Sequence, residues 1–440
     1  MHDFAKKRIA VIGMARSGLA AAEALQGLGA QVVLYDLSTP DKLADALAWA
    51  SDRGIEAHHS TNCVADTDLV ITSPGVRKSA PVLADACARG IPVWGEIEAA
   101  YRISKAPILA ITGTNGKTTT TALLGEMSKA DGRETYVAGN IAAGDISLPL
   151  IRAAAQASSS AMIVAEISSF QLEWTPSFAP RVSAILNITP DHLDRQTWDE
   201  YVDAKWSIQA NQGRGDVVVL RSDCPRPSGF SPRSNGPEEV FFDRQARPSW
   251  LGDIVLPGEH NIENVLAAVC MARAAGIGEA AIRAAATEFG GVIHRLEFIG
   301  TYSGVRYINN SMCTNNAAFA RSLDALPGPK VVLAGGVYKG GDMSELVQAA
   351  ARDSVRRLIL FGRSGPEIEA AVRSAGFDRV ETVPDLAAAL AAGRLVARAG
   401  DIMVLNPGCA SFDQFRDFED RGDTFKRLVW GYEPADRIST

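Results

Sequence analysis

ILAITGTNGKTT, residues 108 to 119, is the stretch from which the chain is best read. An apolar and β-branched run, Ile108 to Thr112, stops at Gly113-Thr114-Asn115-Gly116-Lys117-Thr118, and helix-compatible residues follow. Glycines let the backbone curl so that its N–H groups face phosphate oxygens. The N-terminus of the next helix adds a favourable dipole, Lys117 can reach β- and γ-phosphates, and the Thr118 hydroxyl can bind Mg²⁺. The full phosphate-loop pattern asks for a glycine where this chain has Ile111, so the loop is a shortened variant. A glycine turn with an exposed lysine is the bland alternative, but it gives no role to the strand before and the helix after. Gly113, Thr114, Asn115, Gly116, Lys117, Thr118 and Thr119 are therefore expected to bind a nucleotide.

The strands around this loop are PILAIT, AMIVAEI, VSAILNI and DVVVL. Continuous apolar strands belong to a sheet buried on both faces. AMIVAEI ends on Glu166, and a carboxylate at the carboxyl end of a parallel strand beside a phosphate loop is placed for a Mg²⁺ ligand. Capping of the next helix by Glu166, Ser168 and Ser169 is an equal alternative on residues alone. LNITPDHLDR brings Asp191, His192, Asp194 and Arg195 to the same sheet edge, where His192 can bind metal or simply close a turn. Lys205, in WDEYVDAKWSI, reads on pattern as a solvated helix lysine. Residues 221 to 251, rich in Pro, Ser, Arg and Gly, are expected to be the least regular segment, and HNIENVLAAVCMARAAG to be a helix.

Similar patterns flank this central part. RIAVIG, QVVLYD, DLVITSPG and PVWGE precede it, with EIEAAYRI as a short hinge helix; RYIN, KVVLAGG, RLILFG and DIMVLNPG follow from near Gly291. The fold expected is α/β in three domains: Rossmann-like over 1–95, a central P-loop ATPase-type domain over 96–291, and Rossmann-like over 292–440. GMARSG followed by Asp36 also resembles a dinucleotide fingerprint, which would suit an NAD-dependent dehydrogenase. Ala15, however, stands where that fingerprint needs its second glycine, and a dehydrogenase leaves GTNGKT unused. A P-loop switch or transport ATPase would use the loop and leave the last domain unexplained.

Composition narrows the classes further. The 440 residues suit about two to four domains. A net charge of −7 argues against a nucleic-acid partner, which needs a basic face. No apolar run approaches the ~20 residues of a membrane span, so no membrane insertion is expected. The N-terminal apolar run is cut by Gly13, Arg16 and Gly18, a first strand and turn rather than a signal peptide. Six scattered cysteines without a C-x-x-C pair fit free thiols in a reducing cytoplasm.

Taken together, ITGTNGKTT, AGN at 138–140, EISSFQLE, LNITPDHLDR, YVDAK, GEHNIEN, HRLE, AGG at 334–336 and NPGCASFDQFRDFEDRGDTF resemble the Mur ligase family. They occur in the family's order along nearly the whole chain, and CASFDQFRDFEDRG is like its glutamate-adding branch. The resemblance implies a UDP-sugar domain, an ATP domain and a glutamate domain. The implied reaction is ATP-dependent: the carboxylate of UDP-N-acetylmuramoyl-L-alanine becomes an acyl phosphate, and glutamate's amine displaces phosphate, in cytoplasmic peptidoglycan precursor synthesis.

Carried onto these positions, Lys117 contacts phosphates, Thr118 and Glu166 hold one Mg²⁺, and His192 serves a second with a carbamylated Lys205. Asn261, Asn264, Arg295 and Asn310 contact the nucleotide, and Asn140 the muramoyl substrate. Ala15, Arg16, Ser17 and Asp36, with Ser73, Pro74 and Gly75, face the UDP group. Thr314, Lys339, Ser411 and the Phe418 backbone hold glutamate. The family's N-D-S-K-A-T-N reads Asn309-Asn310-Ser311-Met312-Cys313-Thr314-Asn315 here, so an acid and a lysine are both gone. Loss of the two charges together leaves neither one buried alone, and D-glutamate stays the expected substrate. L-glutamate, a sister Mur ligase or a folylpolyglutamate synthetase are the alternatives; the sister enzymes lack FDQFRDFEDRG. A monomer is expected.

Overall fold

The computed structural model describes residues 4–141, 148–190, 197–243, 245, 247–253, 259–338, 340 and 342–431, with only the backbone for 252, 253, 259, 260 and 317. The first sheet is built from β1 (Arg8–Ile12), β2 (Gln31–Asp36), β3 (Glu56–His59), β4 (Leu69–Thr72) and β5 (Val93–Gly95), linked by α1 (Arg16–Gly27), α2 (Ala44–Asp52) and α3 (Pro81–Ala88). Its order is β3-β2-β1-β4-β5, all parallel, so the order reverses between β1 and β4. That reversal opens a crevice at the carboxyl ends of the strands.

Helix α4 (Glu96–Ile103) leaves β5 directly and buries Ile97, Ala99, Ala100 and Ile103. This is the stretch expected as a hinge helix. Its start is tied to the next sheet's neighbourhood: Gly95 N–H donates to Trp174 O at 2.7 Å, and the Ile151 N–H donates to the Glu96 carboxylate at 2.7 Å. Burial pushes the Glu96 carboxyl up to about 7, against the Ile151 N–H and the Arg16 charge, which favour the ionised form.

The second sheet comprises β6 (Ile108–Thr112), β7 (Thr135–Gly139), β8 (Met162–Glu166), β9 (Val182–Ile185), β10 (Val217–Arg221) and β11 (Glu238–Phe242). With α5 (Lys117–Ala130), α6 (Leu150–Gln156), α7 (Trp198–Trp206), α8 (Glu259–Ala274) and α9 (Glu279–Glu288), it forms the centre of the chain. The order is β11-β10-β9-β6-β8-β7, parallel throughout. One face carries Ile108, Ala110, Ile163 and Ile185 into a core shared with α4, α6 and α7. The other carries Leu109, Ile111, Val164 and Leu186 into a core shared with α5, α8 and α9. Both faces are buried, which is why these strands read as unbroken apolar runs.

The third sheet contains β12 (Glu297–Tyr302), β13 (Val305–Asn309), β14 (Lys330–Gly335), β15 (Val355–Phe361), β16 (Val380–Thr382) and β17 (Ile402–Gly408). Helices α10 (Asn316–Ala325), α11 (Ser344–Ala350), α12 (Gly365–Ser374), α13 (Leu386–Val396) and α14 (Phe418–Trp430) connect and follow its strands. The order is β12-β13-β17-β14-β15-β16, with only β12 antiparallel to its neighbour. Contacts group the chain into two compact units that meet in sequence at Phe289 and Gly290, the first containing two of the three sheets.

The segment expected to be least regular holds a strand. β11 lies inside it and pairs with β10 over five residues. A short edge strand, EEVFF, with polar flanks leaves little periodic signal.

Candidate active site

At the carboxyl end of β6, Gly113 has φ 152° and Gly116 φ 83°, backbone that an L side chain resists. Gly116 also lies against α8: a Cβ there would stand 2.1 Å from Asn264 Oδ1. The loop follows this path because both positions lack a Cβ, and it ends at the N-terminus of α5, whose first-turn N–H groups have no intrahelical partners. Asn264 Nδ2 donates to Asn261 Oδ1 at 3.1 Å, so the two amides predicted to meet the nucleotide are paired beside the loop.

β9 braces the loop from the neighbouring strand. Thr114 N–H donates to Asn187 O at 2.9 Å, Asn115 N–H donates to Asn187 Oδ1 at 2.9 Å, and Asn187 Nδ2 donates to Asn115 O at 3.1 Å. Thr114 Oγ1 also shares a hydrogen bond with Tyr201 OH at 3.0 Å. Sequence reading gave no part to Asn187 or Tyr201, although both sit in the quoted motifs.

Glu166 ends β8 one strand away and is 3% exposed. Thr118 Oγ1 donates to its Oε2 at 2.8 Å, and Asn140 Nδ2 donates to its Oε1 at 3.1 Å. It does not cap the following helix, where Ser169 makes no side-chain cap. Gly139, before Asn140, has φ 97°, and a Cβ there would meet Glu166 O at 2.2 Å, so only glycine allows this approach. One carboxylate therefore joins the phosphate loop to the Asn140 turn. A hydroxyl and a carboxylate oxygen side by side are hard oxygen donors of the kind Mg²⁺ takes.

Lys205 is not a solvated helix lysine. It is 2% exposed on α7, its Nζ donates to Gly113 O at 2.9 Å and lies 4.5 Å from the Tyr201 ring centroid. Thr197, with Glu200 reciprocating, caps α7 in a capping box and so fixes where the helix starts and where Lys205 falls. Lys117 Nζ donates to Gly113 O at 2.9 Å and Thr114 O at 3.0 Å. His192, Asp191, Asp194 and Arg195 lie outside the described residues, as does Lys339. Among the described residues no group of three or more His, Cys, Asp or Glu could hold a metal.

In the first sheet, Gly13 has φ 97° at the end of β1, and a Cβ on Gly18 of α1 would stand 1.8 Å from Gly13 O. Ala15, Arg16 and Ser17 open α1 above this turn. Asp36 ends β2, accepting from Met14 N–H and Ser38 N–H at 2.8 Å each. Burial works to raise its pKa, but these N–H donors outweigh it and hold the carboxyl below its ordinary range. Ser73 follows β4 and donates to Gly13 O at 3.4 Å, with Pro74 and Gly75 continuing the turn. The residues expected to face a UDP group thus gather at the crevice between β1 and β4.

In the third sheet's unit, Arg295 is exposed between His294 and Leu296, whose φ values are 63° and 46°. Asn310 follows β13 and is 3% exposed. Thr314 precedes α10, Ser411 is buried after β17, and Phe418 begins α14, with Asp417 as N-cap. The Val337–Ala410 bridge brings the residue before Ser411 against the end of β14. Phe418 O accepts from Ser311 Oγ at 2.7 Å.

Sequence reading also missed Arg421, whose side chain is 0% exposed. It donates to Ser311 Oγ at 3.0 Å, Ser311 O at 2.8 Å and Cys409 O at 3.1 Å. Burial brings its pKa down to about 10. Its position in RDFEDRG was the available signal.

The chain matches the Mur ligase MurD-like N-terminal domain over residues 7–95, the Mur ligase middle domain over 111–249, and the Mur ligase glutamate ligase domain over 294–409. It is 40% identical to the UDP-N-acetylmuramoylalanine–D-glutamate ligase of Pelotomaculum thermopropionicum, covering 98% of each chain. It is 39% identical to the protein of that name from Caldanaerobacter subterraneus subsp. tengcongensis, over 97% of this chain and 99% of the other. Among solved structures, MurF from Acinetobacter baumannii aligns with TM-score 0.55 at 17% identity, over 96% of this chain and 94% of that one. UDP-N-acetylmuramate–alanine ligase from Thermotoga maritima aligns at 0.52 and 18%, over 97% and 100%. At those identities the likeness is one of fold.

Proposed function

The chain belongs to the Mur ligase family, and from that premise we propose that it joins D-glutamate to UDP-N-acetylmuramoyl-L-alanine at the expense of ATP. The observation that carries the reading is Glu166, held by Thr118 of the phosphate loop on one oxygen and by Asn140 on the other. This is one carboxylate between a nucleotide site and a second-substrate site.

The cradle at Gly113 and Gly116 fits phosphates, and the α5 N-terminus supplies N–H donors to them. Lys117 exchanges its two loop carbonyls for phosphate oxygens. Asn261 and Asn264 face the base, and Arg295 is a further nucleotide contact. Thr118 and Glu166 would hold one Mg²⁺, and His192 with a carbamylated Lys205 a second. When bound, the ions neutralise phosphate charge and align the phosphoryl group.

In the first step a carboxylate oxygen of the muramoyl-L-alanine substrate attacks the γ-phosphorus. The bond to ADP breaks and an acyl phosphate forms. The amine of glutamate then attacks the acyl carbon, phosphate leaves, and the amine loses a proton as the amide forms. Asn140 orients the muramoyl chain. Ala15 to Ser17, Asp36 and Ser73 to Gly75 hold the UDP group, while Thr314, Lys339, Ser411 and the Phe418 backbone hold glutamate. Positioning and charge stabilisation, rather than covalent catalysis by the protein, carry this chemistry.

The domains run 1–95, 96–291 and 292–440, for UDP-sugar, ATP and glutamate respectively. Among the described residues no helix is long and apolar enough to cross a membrane, and the enzyme works as a cytoplasmic monomer on small molecules, without nucleic acid. The test is phosphate release from ATP with each substrate omitted in turn and with each glutamate enantiomer. Release that needs UDP-N-acetylmuramoyl-L-alanine and D-glutamate is expected. Turnover with L-glutamate alone, or without any amino acid, would refute the assignment.

A further inference from the structure

The amide of Asn310 has its oxygen and both N–H hydrogens engaged. Its Oδ1 accepts the Leu296 N–H at 3.0 Å, and its Nδ2 donates to Ser322 Oγ at 2.8 Å and Asn406 Oδ1 at 2.7 Å. Both Nδ2 partners are fixed as acceptors. Ser322 Oγ donates its hydrogen to Ala318 O at 2.7 Å, and Asn406 Nδ2 donates to Phe319 O at 3.1 Å, which turns Asn406 Oδ1 toward Asn310. A carboxylate at this position would face two acceptor oxygens in a buried pocket. The amide therefore suits this chain's surroundings better than the aspartate of the resembling motif.

Leu296, the residue Asn310 holds, follows Arg295 directly. His294 and Leu296 both adopt left-handed backbone, at φ 63° and 46°, although neither is glycine. Such residues persist only where surrounding contacts over-determine them. The backbone contacts of these two residues include His294 N–H to Glu297 Oε2 at 2.9 Å, Met312 N–H to His294 O at 3.1 Å, and Leu296 N–H to Asn310. Two of the three come from strand β13's exit, residues 310 to 312.

We propose that Asn310 is a positioning residue for the nucleotide contact made by Arg295: it fixes the left-handed turn that presents the guanidinium. The inference rests on the reading of Arg295 given above.

The test uses the full-length enzyme with steady-state KM values for all three substrates, in wild type, Asn310→Asp, Ser322→Ala, Arg295→Ala and Asn310→Asp/Arg295→Ala. Loss of one charge-assisted contact predicts a rise of about tenfold in the ATP KM for Asn310→Asp. The KM values for D-glutamate and the UDP substrate should stay near wild type. Ser322→Ala, which introduces no charge and removes one partner of the amide, should shift the ATP KM in the same direction by less, and it guards against a misfolded Asp variant. In the Arg295→Ala background, Asn310→Asp should add nothing further to the ATP KM. An equal rise in both backgrounds, or a rise in all three KM values, overturns the proposal. An Arg295→Ala enzyme with an unchanged ATP KM removes the Arg295 reading and the proposal with it.

Discussion

Lys117 and Lys205 converge on one oxygen: the Nζ of each lies 2.9 Å from the Gly113 carbonyl. Two ammonium groups sharing an acceptor repel each other, and in a partly buried site that repulsion is weakly screened. Conversion of Lys205 to a carbamate would replace one cation with an anion that offers oxygen ligands, and would relieve the conflict.

Lys205→Ala should therefore be nearly inactive, losing at least about a hundredfold in kcat. Short-chain carboxylates should restore part of the rate by filling the vacated ligand position. A carbamate on the wild-type lysine is the expected finding of mass spectrometry under gentle conditions. An unmodified amine in fully active enzyme would rule the modification out.

Lys117→Ala removes a loop side chain whose Nζ donates to the carbonyls of Gly113 and Thr114. Its melting temperature should stay within about 3 °C of wild type, because a net hydrogen bond is worth roughly 1 kcal/mol. Ligase activity should fall by about a hundredfold or more. Thermal melts beside rate measurements check it; wild-type activity would sink the phosphate-loop assignment.

Gly116→Ala should lose both stability and nucleotide affinity. The residue sits at φ 83°, and the new Cβ would stand 2.1 Å from Asn264 Oδ1. Backbone strain of this kind costs about 1–3 kcal/mol, and the displaced Asn264 disturbs its pairing with Asn261. Denaturant unfolding and ATP titration together read the two effects, and an unaltered titration would count against the cradle.

The Glu96 carboxyl, raised to about 7 from 4.5, makes a pH-dependent contribution to stability. Its folded pKa lies above the unfolded one, so the folded state binds the proton more tightly. That stability is present in acid and is lost as pH rises from the unfolded value through the folded one. Glu96→Gln keeps an acceptor for the Ile151 N–H and abolishes the titration. Relative to wild type, the variant should therefore gain stability between about pH 5 and 7, by up to roughly 3 kcal/mol. Parallel melts across that range, with no change in the difference, would show that the buried group does not titrate there.

The apolar strands β6, β8, β9 and β10 were legible because burial on both faces forces unbroken hydrophobic runs. β3, EAHH, and β11, EEVFF, were not, since edge strands keep polar residues and are short. Glycine and lysine spacing located the phosphate loop. The bracing of that loop by Asn187 and the burial of Lys205 depend on which strand lies next to β6, and sequence order does not state that β9 is this neighbour. Arg421 escaped notice for a related reason: arginine is ordinarily exposed, and carbonyl oxygens from distant segments leave no mark in side-chain pattern.

Arg421 also bears on how this unit comes into being. Its guanidinium bonds to groups after β13 and β17, and α14, which carries it, follows both in the chain. During synthesis from the N-terminus, those carbonyls must wait for the helix before their native partner exists. The two earlier sheets can complete their cores while the chain is still growing. The third should reach its native state only after α14 has emerged, so its earlier strands stay without part of their native bonding until synthesis is nearly complete.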